Sequence, residues 1–219
     1  YTQTWGLQAL RDACSQYYTD KFGTPLQNTM ITAGVSGGLF LTLMATINPH
    51  DEVLFADPYF VMYKHLVNLL GGKAVPIDTY PDFKLTPQRI EAHITPKSKL
   101  LIINSPSNPT GISLNATELD AIAATAKKHN LLILSDEIYE GLHYDGPPDT
   151  MVGRHQTLIL LHGFSKISAM PGHRIGYASR PEDIIQQINT LQQHTYLSSP
   201  PPAPPPPITA SHTDHPPHT

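Results

Sequence analysis

The chain has 219 residues, 40% of them hydrophobic and 15% charged, enough apolar material for one globular domain and too little for two large ones. A formal net charge of −4 gives no basic field for a phosphate backbone, so sequence-independent nucleic-acid binding has no electrostatic support and small molecules are the expected partners. No run approaches the roughly 20 apolar residues that cross a bilayer, the opening Tyr1-Thr2-Gln3-Thr4 resembles no signal peptide, and the single cysteine, Cys14, permits no intramolecular disulfide. The expectation is a cytoplasmic protein with no membrane partner. The start without Met reads as a processed or truncated boundary.

Leu7, Leu10, Cys14 and Tyr17 recur at spacings of three and four and stop before Gly23, the pattern of an amphipathic helix with a glycine end. Short apolar runs then alternate with helical stretches, and residues 29–33, 52–56, 73–77, 99–103, 131–135 and 157–161 are the predicted strands. Leu100-Leu101-Ile102-Ile103 and Leu131-Leu132-Ile133-Leu134 are apolar without alternation, as strands are when helices cover both faces of a mostly parallel sheet. Between them, Thr86-Pro87 sets a capping hydroxyl before a proline, and Asn115 with Glu118 has the spacing of a capping box. The fold class is therefore α/β, a three-layer, doubly wound, mostly parallel sheet.

From Pro200 to Pro217 the chain holds 9 of its 22 prolines, followed and interrupted by His and Thr. Proline lacks the amide donor that helix interiors and sheets need, so residues 198–219 are expected to be a disordered or polyproline tail, and residues 1–197 the domain. His212, His215 and His218 lie in that tail; spaced histidines without ordered neighbours make no biological metal site, and none is expected.

Ligands of an open α/β sheet bind beyond the carboxyl ends of its strands, so the loops there hold the candidate residues. After the first strand comes Gly34-Val35-Ser36-Gly37-Gly38 and an apolar helix, which offers amides and a hydroxyl to a phosphate. Alone it is equally a plain turn, and it matches neither the dinucleotide nor the Walker fingerprint. After the fourth comes Asn104-Ser105-Pro106-Ser107-Asn108-Pro109-Thr110-Gly111, a rigid turn with two asparagines. After the fifth, Asp136 abuts a buried strand with no basic neighbour in sequence, so its burial needs a partner: a protonated ring nitrogen of a ligand, or a structural amide or arginine. After the sixth comes the run Gly163-Phe164-Ser165-Lys166-Ile167-Ser168-Ala169-Met170-Pro171-Gly172-His173-Arg174-Ile175-Gly176. A lysine among small and apolar residues is placed to be desolvated, which favours the neutral amine that attacks carbonyls; a solvated surface lysine is the plainer alternative.

The stretch from Gly163 to Gly176 resembles the cofactor-attachment motif of the class I and II aminotransferases, which use pyridoxal 5′-phosphate (PLP). Asn108-Pro109-Thr110-Gly111 is similar to that family's NPTG turn, Asp136 with Tyr139 to its D-x-x-Y element, and Asp57-Pro58-Tyr59 to the loop that supplies an aromatic lid. The resemblance covers the chain up to about Leu197. It implies that Lys166 holds PLP as a Schiff base and is the catalytic general base and acid. Asp136 then pairs with the ring nitrogen, Tyr139 and Asn108 with the ring hydroxyl, and Tyr59 stacks on the ring. Arg174, Ser36 and the amides of Gly34 and Val35 clamp the phosphate. It also implies a homodimer acting on an amino acid and a 2-oxo acid.

Three departures accompany the likeness. Position 163 is Gly where many relatives carry a serine, Pro171-Gly172-His173 stands where Thr-Gly-Trp is common, and proline follows where relatives continue into a small domain that grips the substrate carboxylate. Two further readings therefore stay open beside the aminotransferase: a truncated or frame-shifted non-catalytic remnant, and another PLP reaction on the same scaffold, such as a β-lyase or an aminocyclopropane-carboxylate-synthase-like enzyme. A nucleotide-binding α/β module ranks last, since it leaves Lys166 and Asp136 unexplained.

Overall fold

Successive residues of a strand face opposite sides of its sheet, and in this chain both sides are buried. A computed structural model describes residues 3–143, 146 and 148–195; the predicted tail at 198–219, and the end of the predicted domain at 197, lie outside the described residues. The elements run α1 (Gln8–Phe22), β1 (Met30–Ala33), α2 (Gly34–Thr46), β2 (Glu52–Asp57), α3 (Met62–Leu69), β3 (Lys73–Asp78), α4 (Pro87–Glu91), β4 (Ser98–Asn104), α5 (Ala116–Lys128), β5 (Leu132–Asp136), β6 (Leu158–Gly163), β7 (Ile175–Ser179) and α6 (Glu182–Thr195). The sheet order is β1-β7-β6-β5-β4-β2-β3.

The unbroken apolar runs feed two separate cores. Leu54, Leu101, Ile103, Ile133, Leu158 and Leu160 pack with Leu10, Cys14 and Tyr18 of α1, Ile90 of α4 and Ile122 of α5. Their strand neighbours Val53, Phe55, Leu100, Ile102, Leu134, Ile159 and Leu161 pack instead with Leu39 and Leu43 of α2, Tyr63 and Val67 of α3 and Ile185 of α6. The three layers expected from the sequence are thus present. Local signals behave as read: Gly23 closes α1 at φ 69°, Thr86 Oγ1 accepts from Arg89 N–H at 3.3 Å, and the Asn115–Glu118 capping box is formed in both directions.

The sheet contains a strand beyond the six predicted. β7 is antiparallel to both of its neighbours, β6 and β1, while β2 to β6 pair in parallel. The link from β6 to β7 is a loop rather than a crossover helix, and only an antiparallel return is open to it. Its five residues include Gly176 and continue directly from the lysine motif, so no separate strand signal stands out.

Helix α1 is held to the turn after β5 by buried acids as well as by core packing. Tyr18 Oη donates to Glu137 Oε2 at 3.0 Å and Tyr17 Oη to Glu140 Oε2 at 2.7 Å, and Lys21 Nζ lies 2.5 Å from Glu140 Oε1. Burial alone would raise the Glu140 carboxyl, but His162 and the Lys21 ammonium together bring it from 4.5 down to about 2. A depressed acid contributes stability that is complete above its unfolded value and lost as pH falls through its folded one. Glu140 therefore stabilises the fold above about pH 4.5, and that contribution disappears between there and about pH 2. Urea midpoints measured across this window are expected to fall steeply for the unsubstituted chain and less steeply for Glu140→Gln. Ile133 is fully buried in the sheet centre, and Ile133→Ala is expected to lower unfolding free energy by about 2–5 kcal/mol in equilibrium denaturation.

Candidate functional site

Because β1, β2, β4, β5 and β6 all point the same way, their carboxyl ends share one edge of the sheet, and the reversal at β7 returns Arg174 to that same edge. Every site residue expected from the sequence lies there: Gly34, Val35 and Ser36 after β1, Tyr59 after β2, Asn108 after β4, Asp136 and Tyr139 at the end of β5, Lys166 after β6 and Arg174 before β7.

Asp136 is 4% exposed. Its Oδ2 accepts from Tyr63 Oη at 2.7 Å and its Oδ1 from the Ile138 amide at 3.3 Å. Burial pushes the carboxyl above its ordinary range despite these bonds and the nearby His162, so the site holds an acid that a cationic partner would stabilise. Asn104 Nδ2 donates to the Asp136 carbonyl at 2.9 Å, and Asn104 Oδ1 accepts from the Asn108 amide at 2.7 Å. That chain fixes Asn108, whose Nδ2 donates to Tyr139 Oη at 3.3 Å. Lys166 Nζ sits 5.5 Å from the centre of the Tyr139 ring. Asn108, Tyr139 and Lys166 are thus brought together.

A second group forms around the start of α2. The first backbone amides of a helix have no intrahelical acceptor and form its positive end, and among the described residues no side chain caps this one. Arg174 adds a second positive charge: a methyl built on Gly34 would meet its Nη2 at 2.6 Å. Gly34 itself is at φ 71°, where glycine is favoured. The guanidinium donates to the Pro171 carbonyl at 3.1 Å, and no acid among the described residues pairs with it. An arginine beside an uncapped helix start is a cradle for an anion. β7 is tucked close beneath it, since a methyl on Gly176 would fall 2.6 Å from the Gly34 carbonyl carbon. Ser36 lies in the first turn of α2, and among the described residues its hydroxyl makes no hydrogen bond.

Three expectations from the sequence are sharpened or corrected. Lys166 is exposed, not desolvated, because its loop stands beyond the strand end. Gly163 has a backbone reason of its own: a side chain there would put its Cβ 2.9 Å from Gly176 Cα, so the serine that the family resemblance led one to expect would require the backbone to shift. The Tyr59 ring lies edge-on to Phe55, with centroids 4.8 Å apart, and lines a cavity with Tyr63, Asn104 and Asn108; Phe60 beside it lies edge-on to Tyr63. Tyr63 is the residue that sequence reasoning missed. It is 73 positions from the acid it serves and occupies a core-facing position of α3, so only its phenol distinguishes it from the helix's apolar residues. Among the described residues no cluster of His, Cys, Asp or Glu could hold a metal ion, and no helix is long and apolar enough to cross a membrane.

Comparison with known proteins agrees with this arrangement. The family described as aminotransferase class I and II matches residues 1–218. The aspartate aminotransferase of Geobacillus stearothermophilus is 36% identical over 205 residues, 89% of this chain and 52% of the relative. The aromatic-amino-acid aminotransferase 2 of Thermococcus litoralis is 36% identical over 203 residues, 89% of this chain and 52% of the relative. Among solved structures, the aspartate aminotransferase from Thermus thermophilus with maleate superposes with a TM-score of 0.86 at 34% identity, covering 96% of this chain and 55% of that one. The aromatic aminotransferase from Pyrococcus horikoshii OT3 gives 0.88 at 31%, covering 96% and 58%. The chain spans about half the length of the curated relatives it matches. With that family's model matching residues 1–218, the chain belongs to the class I and II aminotransferases.

Proposed function

We propose that this chain is the PLP-holding part of an aminotransferase that moves an amino group from an amino acid to a 2-oxo acid. One observation carries the reading. At a single sheet edge stand a buried acid raised by burial, Asp136, an arginine and a helix start that no side chain caps among the described residues, and a primary amine, Lys166. A ligand with a protonatable ring nitrogen, a phosphate and an aldehyde answers all three, and PLP is such a ligand.

When bound, PLP supplies a ring that accepts the electrons left behind as a substrate carbon loses its proton. The chain's own residues do the rest. Lys166 Nζ would hold the cofactor covalently at rest and, once the substrate amino group had displaced it, would be the free amine that takes the proton and returns it. Asp136, ionised against the ring nitrogen, keeps a proton on that nitrogen, and Tyr63 Oη fixes the carboxylate that does so. The Asn108–Tyr139 pair binds the ring hydroxyl, and Tyr59 gives the ring an aromatic wall. Arg174 with the amides of Gly34 and Val35, and the hydroxyl of Ser36, takes the phosphate. A cytoplasmic setting and a homodimer belong to the same reading; the family likeness and the buried free thiol of Cys14 support it.

Borohydride reduction of the chain with PLP, followed by peptide mapping, is expected to place a pyridoxyl group on Lys166, and Lys166→Ala is expected to carry none. A label on another residue of the unsubstituted chain would overturn the assignment. In Tyr63→Phe the buried carboxylate loses its hydroxyl donor, a loss of about 1–3 kcal/mol. PLP affinity, read by titration, is expected to fall about tenfold while the circular dichroism of the chain stays unchanged.

A further inference from the structure

The turn after β5 carries Tyr139 and the loop after β6 carries Lys166, yet the ladder between those strands ends at the Asp136–Leu161 pair. Other contacts must hold the two loops together. One is steric: a methyl on Gly141 would fall 2.8 Å from Ile167 Cδ1, so the turn runs flush against the residue beside Lys166. The other is polar and buried. His162 Nδ1 accepts the Gly163 amide at 2.6 Å, which leaves the imidazole proton on Nε2. Nε2 has no hydrogen-bond partner among the described residues and lies 3.6 Å from Glu140 Oε2. The ring is stacked on Tyr177 with centroids 5.3 Å apart and meets Tyr18 edge-on at 6.1 Å.

His162 therefore bonds the last residue of β6, from which the lysine loop departs, while facing the residue that follows Tyr139. Glu140 is held at that same Oε2 by Tyr17 and at Oε1 by Lys21. The titratable groups around the imidazole are Tyr17 and Tyr18 on α1, with Lys21 behind Glu140, then Asp136, Glu137 and Glu140 on β5 and its turn, and Tyr177 on β7. At 3.6 Å the His162–Glu140 contact is too long for a hydrogen bond, so its strength is electrostatic and needs the charge on Glu140.

We propose that His162 and Glu140 form a positioning pair that sets the Lys166 loop against the Tyr139 turn from behind, touching neither substrate nor cofactor. The proposal rests on Lys166 being the residue that holds PLP.

The test uses the 219-residue chain with added PLP and the variants H162N, E140Q and their combination. Asn at 162 keeps an acceptor for the Gly163 amide but cannot reach Glu140; Gln at 140 keeps the shape and the bond from Tyr17 but removes the charge. Each single variant is expected to weaken PLP binding about tenfold. Each is also expected to move the pH midpoint of the visible absorbance of Lys166-bound PLP in the same direction; cofactor-free melting is expected to fall only slightly in H162N and further in E140Q, which loses the stabilising charge at 140. The combination is expected to bind within about twofold of either single, as for two changes that cut one contact. Additive losses, or an unmoved midpoint in folded variants, would overturn the pair. If H162N does not fold, H162Q replaces it, with amide exchange of the PLP-free chain as the readout. Faster exchange confined to residues 163–167 and 137–141 supports the pair, and unchanged exchange there overturns it. An unsubstituted chain that takes no label on Lys166 removes the cofactor reading and the pair with it; a labelled chain with unaffected variants removes the pair alone.

Discussion

A sheet covered by helices on both faces leaves a polar side chain nowhere to go except past the ends of its strands, or to a buried partner made for it. That constraint governs this molecule. β5 runs from the buried Ile133 and Leu134 straight to Asp136, and β6 from four buried apolar residues to His162 and Gly163. The passage from hydrocarbon to charge takes one residue. Since unpaired burial of a carboxylate is strongly unfavourable, each acid at this edge has a committed set of donors: Tyr63 and the Ile138 amide for Asp136, and Ser135, Thr150, Tyr18 and the Met151 amide for Glu137.

The electrostatics of the edge are divided. One end, built from Arg174 and the start of α2, is short of negative charge. The other, built from the β5 terminus, has acids clustered within a single turn. A ligand with an anionic end and a cationic end is oriented by this division before any short-range contact forms, since the reversed pose brings like charges together at both ends. The close approach of Gly176 to Gly34 keeps the cationic end at a fixed height relative to the strands, so the spacing between the two ends is a property of the backbone rather than of flexible side chains.

How much of this was legible in sequence depends on the range of each interaction. The six parallel-sheet and edge strands could be read because two buried faces need unbroken runs such as Leu100 to Ile103, and the Asn115–Glu118 cap because both partners lie within one helical turn. Asp136 stood out as an acid against an apolar strand. Tyr63 did not, because its role is set by a residue 73 positions away. The docking of α1 was equally hidden, with Tyr17 and Tyr18 meeting Glu140 and Glu137 at separations of 123 and 119. Composition suggested a desolvated Lys166, but exposure is decided by what packs over a loop, which no local pattern records.

The antiparallel strand β7 has a consequence for how the chain is made. Among the described residues β1 bonds to no strand other than β7, so of these seven strands the first in the chain waits for the last before it is paired. Until then β1 and the apolar helix α2 that follows it are exposed on a nascent chain whose central strands already have neighbours. Such late, distant pairing slows folding and prolongs the exposure of sticky surface. The segment around Gly34 is thus also the segment most dependent on completion of the rest, and a chain interrupted before residue 174 would lack the arginine beside it even with β2 to β6 in place.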